Sequence, residues 1–84
     1  MHELGIAQEV IDIVAAETGT RKVTRVVLEI GRRTCVQADA LRFAFDVIAE
    51  GTTMDGAALE ILEAPNEELR IAAVEVEDVQ DVRV

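Results

Sequence analysis

The sequence predicts an α+β domain in which two helices pack on one face of a mixed three-stranded sheet, in the order α-β-α-β-β. Three observations lead there. Apolar residues recur at helical spacing over residues 3–18 and again over 38–50. Runs rich in Val, Ile and Leu, short enough to be strands, occupy residues 23–30, 57–64 and 68–77. Turn residues punctuate the segments: Gly19, Gly31, Gly51, Asp55-Gly56 and Pro65-Asn66. The chain has 84 residues, half of them hydrophobic. This is one domain, 1–84, near the size at which a single core is only just sufficient.

Helix 1 places Leu4, Ala7, Ile11 and Val14 on one face, widened by Val10 and Ile13. Glu3 falls in its first turn, where a carboxylate suits the positive end of the helix dipole. Gly19 stops it. In strand 1, Val26, Leu28 and Ile30 line one face and Arg25, Val27 and Glu29 the other. Gly31-Arg32-Arg33-Thr34 reads as a turn whose two arginines are solvated. Helix 2 buries Leu41, Ala44, Phe45 and Ile48, and Gly51 follows it. Phe43 lies off that stripe and is expected to cover the edge of the core, a partner contact being the alternative. Strand 2 carries Leu59 and Ile61 on one face. Strand 3 changes parity: Leu69 and Ile71 are odd, Val74 and Val76 even, so a bulge near Ala72-Ala73 is needed to turn all four inward. The tail from Asp78 to Val84 scatters valines among charges and is expected to be only loosely held.

Strand 1, helix 2 and strand 2 form a crossover unit, expected parallel and right-handed. Strands 2 and 3 are expected to form an antiparallel hairpin across Pro65. The sheet face without helices carries Val27, Leu62 and alanines, so a second copy or a partner is expected to cover it.

Charge and composition exclude several functions. The 17 acidic and 8 basic residues leave a net charge of −9, the wrong sign for nucleic acid or an anionic membrane surface. No apolar run approaches the roughly 20 residues of a membrane span, and residues 2–17 do not read as a secretory signal. Cys35 is the single cysteine, which fits a reducing cytoplasm and reads as a small buried hydrophobe. The sequence contains no Ser, Tyr or Trp, so a Ser-His-Asp triad is impossible. It has no phosphate-binding glycine loop and offers no paired acid–base constellation, which argues against an enzyme.

Chemistry concentrates at the start of the chain. The Met1 amine, the His2 ring, which is the only imidazole, and the backbone amide between them can chelate in fused rings. Ni(II) and Cu(II) prefer such a nitrogen-rich, near-planar set. The structural alternative is a His2 with no role and a Glu3 that only complements the helix dipole. His2 is bulky enough to disfavour removal of the initiator Met, which keeps Met1 as the amine.

Met1-His2-Glu3-Leu4, Val26-Val27-Leu28-Glu29-Ile30-Gly31, Leu41-Arg42-Phe43-Ala44-Phe45-Asp46, Gly51-Thr52, Leu69-Arg70-Ile71 and Val74-Glu75-Val76-Glu77 together resemble the HypA family. Its members are nickel-insertion accessory proteins of [NiFe]-hydrogenase maturation, used for urease in some bacteria. The resemblance runs in order from residue 1 to about residue 78. It implies a non-enzymatic metallochaperone domain that binds Ni(II) through Met1 and His2, with the His2 and Glu3 amides as further donors and Glu3 tuning or completing the site. The implied partners are a HypB-like GTPase and the hydrogenase large subunit. The family also carries a zinc module, two Cys-x-x-Cys pairs between what are here strands 2 and 3. This chain passes from Ile61-Leu62-Glu63-Ala64-Pro65 directly to Asn66-Glu67-Glu68-Leu69, so no structural zinc is expected. The shortened link predicts some homodimer, by exchange of strand 3 or by packing of the open sheet face. The other reading is a metal-free interaction or dimerisation module of the same fold.

Overall fold

The computed structural model describes residues 2–31, 36–65 and 69–77. The elements follow the expected order: α1 (Glu3–Thr18), β1 (Val23–Gly31), α2 (Ala38–Ala49), β2 (Ala58–Ala64) and β3 (Leu69–Val76). Cys35, the Arg32-Arg33 turn, the Asn66-Glu67 turn and the tail from Asp78 lie outside the described residues.

Helix α1 ends where Gly19 takes φ of 62° and its N–H donates to the Ala15 carbonyl. That left-handed conformation is one only glycine adopts cheaply. After α2 the chain turns through Gly51, at φ of 78°, whose N–H donates to Asp55 Oδ2. The turn is fastened to the start of β1: Lys22 Nζ donates to the Asp55 carbonyl, and the Val23 N–H donates to the Thr53 carbonyl. Met54 is buried as a result, a core residue that a loop reading does not anticipate.

The sheet order is β2-β1-β3. Strand β1 runs parallel to β2, from Arg25 opposite Ala58 to Gly31 opposite Ala64. It runs antiparallel to β3, from Val23 opposite Val76 to Ile30 opposite Leu69. The expected hairpin of strands 2 and 3 is therefore corrected: β3 pairs with β1 on its far side. In β1, Val26, Val27 and Leu28 are buried in succession, so both faces of the strand are covered, and its central place between β2 and β3 suits it to shield Val27 on the face without helices. The anticipated bulge is present. Between the Leu28–Ile71 and Val27–Ala73 pairs, β3 contains Ala72 as an extra residue, and Leu69, Ile71, Val74 and Val76 all pack against the core.

Both helices cover one face of the sheet, α1 against β3 and α2 against β2, and they pack on one another. Ala7, Val10, Ile11 and Val14 of α1 meet Leu41, Ala44 and Phe45 of α2 and Val26, Leu28 and Ile30 of β1 in one core. Burying a side chain such as Leu28 or Phe45 stabilises the fold by about 1.5–3 kcal/mol. Two residues assigned to the α1 stripe are corrected: Leu4 is 60% exposed and Ile13 49% exposed. Leu4 lies about one turn before the first buried position, Ala7, and Ile13 lies at the margin of the face. Phe43 is 71% exposed and does not cover the core edge.

The helix-free face of the sheet carries ion pairs among its apolar residues. Arg25 binds Glu60 of β2 and Glu75 of β3, and Arg70 of β3 binds Glu29 of β1 at 2.9 Å. Glu60, with Glu75 beside it, holds the Arg25 guanidinium further toward its charged form.

Candidate metal centre

The helix start sets the geometry of His2 and Glu3. His2 is the N-cap of α1, with extended φ and ψ of −89° and 99°. Its carbonyl accepts the first intrahelical bond, from the Ile6 N–H at 3.1 Å. Its side chain makes no capping hydrogen bond and is exposed. The ring therefore projects from the helix end uncommitted to the fold. The amides of residues 2 and 3 precede the first donor of the helical ladder, so neither is used by it. An amide nitrogen that joins a metal must give up its proton; neither amide would break the helix in doing so, though that of Glu3 would give up its bond to the Glu3 carboxylate.

Glu3 is held from the other helix. Its Oε2 accepts from the Gln37 N–H at 3.0 Å, and Gln37 is the N-cap of α2. One carboxylate thus lies at the positive ends of both helices. The Gln37 amide, and next its own backbone amide, hold the Glu3 carboxyl below the usual carboxylate range. Glu3 consequently remains ionised at neutral pH and fixes the place from which the chain start departs. The sequence showed it as a first-turn acid; its partner, 34 residues away, has no local signal.

Beside these residues α1 and α2 enclose a groove of about 480 Å³, lined by His2, Glu3, Leu4, Ala40, Phe43 and Val47. The exposed Leu4, Phe43 and Val47 form its apolar wall. Met1 lies outside the described residues, as does Cys35. Among the described residues no three His, Cys, Asp or Glu side chains converge as a metal cluster. No helix among the described residues is long and apolar enough to cross a membrane.

Comparison with known proteins adds the family. A family model described as "Hydrogenase/urease nickel incorporation, metallochaperone, hypA" matches residues 1–76. The hydrogenase maturation factor HypA of Nostoc punctiforme is 49% identical over 65 residues, covering 77% of this chain and 58% of that protein. Its counterpart from Rippkaea orientalis is 51% identical over 63 residues, covering 75% of this chain and 55% of that one. The chain thus spans a little over half the length of these curated relatives. The solution structure of the Ni metallochaperone HypA from Helicobacter pylori superposes with a TM-score of 0.74 at 20% identity, covering 90% of this chain and 97% of that one. At that identity the likeness is one of fold.

Proposed function

Because the chain belongs to the HypA family of nickel-incorporation metallochaperones, we propose that it is a non-enzymatic Ni(II)-carrying domain serving hydrogenase maturation, with urease as a second destination. The ion is cargo, taken up at the chain start and handed on. The observation that carries this reading is His2, the sole imidazole, exposed at the N-cap with no hydrogen bond of its own in the cap.

In this proposal the Met1 amine and the His2 ring bind the ion, the amides of His2 and Glu3 complete a nitrogen-rich set, and Glu3 holds the chain start in place from α2. Residues 1–84 act as one nickel domain without the zinc module. The apolar core supports a fold that needs no structural zinc. The site of action is the cytoplasm, where a single Cys35 stays reduced. The receiving partners are a HypB-like GTPase and the hydrogenase large subunit. The apolar groove beside His2 supports transfer by direct docking, since a partner seated there would lie against the ion.

Metal uptake must displace protons. A free α-amino group has a pKa of about 7.7–8.0, the ring nitrogen that binds must be free of its proton, and each amide that coordinates loses a proton as well. Ni(II) affinity should therefore fall steeply between about pH 8 and pH 6, with protons released on binding. Equilibrium dialysis across that range is expected to show one Ni(II) per chain at the upper end for the native protein, and loss of this uptake in His2→Ala. A native chain that takes up no stoichiometric nickel would instead favour the metal-free interaction module.

A further inference from the structure

We infer that the outer edge of β3 is a self-recognition surface, on which two copies of this chain pair antiparallel into a continuous six-stranded sheet. Among the described residues no strand pairs with that edge, since β3 is terminal in the sheet order. A second copy fits this edge because its charges and its bulge are arranged symmetrically about the middle of the strand.

The ion pairs on the helix-free face run across the strands in alternating sign. Glu60, Arg25 and Glu75 form one row from β2 to β3, and Glu29 and Arg70 form another from β1 to β3. The rows end at the free edge in opposite charges, Glu75 and Arg70. A two-fold axis through the Ala72-Ala73 bulge exchanges them. Arg70 then faces the partner's Glu75, Ile71 the partner's Val74, and Leu69 the partner's Val76. Each row continues into the second copy with its alternation intact.

A regular strand could not pair this way. Without an extra residue, opposing positions 71 and 74 would point to opposite faces. The bulge at Ala72 shifts parity between Ile71 and Val74, and the same shift in the second copy restores agreement. All four apolar residues then face the helical layer, and both charged residues face the other side. Ladder bonds would form on either side of the bulge. Charges at an edge ordinarily deter pairing, but here they are self-complementary.

The helix side of the same edge supplies a second observation. Ile6 and Ile13 of α1 and Leu69 and Ile71 of β3 line a groove of about 470 Å³, and Ile13 is 49% exposed. A second copy added to β3 would bring its own helical layer against this groove. Face-to-face stacking of the open sheet faces would instead have to desolvate the ion pairs, an unfavourable trade.

The test is the association state by sedimentation equilibrium at about 0.15 M salt, where net repulsion between acidic copies is partly screened. The native chain is expected to dimerise. Arg70→Glu alone sets Glu against the partner's Glu75 at two symmetric places and should weaken association roughly ten- to thirty-fold. The double change Arg70→Glu with Glu75→Arg should restore it. Within a single chain the double variant mismatches both Glu29 and Arg25, so recovery can come only from contact between copies. Ile13→Glu, at an exposed position that the core does not need, should weaken the dimer as well, with circular dichroism confirming the fold. A short Gly-Ser insertion after Pro65 should leave the dimer unchanged. A monomeric native chain, a dimer indifferent to both Arg70→Glu and Ile13→Glu, a folded double variant that stays monomeric, or a dimer dissolved by the insertion would each overturn the proposal; the last would point to exchange of strand 3.

Discussion

Glu3 illustrates how one residue links local chemistry to tertiary structure. As the first residue of α1 it suits the dipole of its own helix, and that much can be read from its position in the sequence. The structure adds the Gln37 amide of α2 as its hydrogen-bond donor, so the carboxylate fastens two helix starts together. The lowered pKa of Glu3 has a definite consequence for stability. A depressed carboxyl contributes above its unfolded value, about 4.3, and the contribution disappears as pH falls through the folded value. Glu3→Gln should therefore lower the urea midpoint near neutral pH and converge on the native protein in acid. If the gap between the two midpoints is the same at about pH 6 and about pH 3, the carboxylate charge is not what the Gln37 contact uses. His2 was legible as a candidate because it is the only imidazole. Leu4 was misplaced because helical periodicity shows which way a residue points and not where the neighbouring helix ends; Phe43 was rightly set off the stripe, but at 71% exposed it does not cover the core edge.

At the scale of elements, β3 was half legible. Its change of parity required a bulge, and the bulge is at Ala72. Its partner was misassigned because a Pro-Asn turn suggests a hairpin, whereas the choice between β1 and β2 depends on which strand has a free edge. The unbroken apolar run Val26-Val27-Leu28 was the available signal, since it marks a strand covered on both faces and so favours an interior place in the sheet. The link from Ala64 to Leu69 then spans two strand spacings, about 10 Å, within the reach of so short a segment. Two deletions at the bulge should differ sharply in their effect. Removing Ala72 alone leaves a regular strand with Leu69, Ile71, Val74 and Val76 still inward, so stability should change by no more than about 1 kcal/mol. Removing Ala72 and Ala73 together turns Val74 and Val76 outward and Glu75 inward, which should cost about 3 kcal/mol or more. Urea unfolding of the two variants distinguishes them, and equal losses would refute this reading of the strand.

For the whole molecule, the arrangement separates what holds the fold from what would hold the metal. The core gathers α1, α2 and β1 around apolar side chains, and no charged or polar residue is buried among the described residues. The candidate centre lies at the periphery, at the point where the chain enters α1. The fold class and element order were legible because periodicity and turn residues agree along the whole chain. The ion-pair rows of the open face were not, because they join residues 35 to 50 positions apart. This separation allows the central claim to be tested without disturbing the fold. A Gly-Ser extension before Met1 removes the terminal amine and shifts the chelate out of register, while His2, Glu3 and the core remain. Calorimetric titration of Ni(II) into the native and extended proteins at about pH 8, with circular dichroism as the folding control, should show the extended form weaker by at least about ten-fold, equivalent to about 1.4 kcal/mol, at unchanged helix content. An extended form that binds Ni(II) as tightly as the native one would contradict the terminal-amine centre.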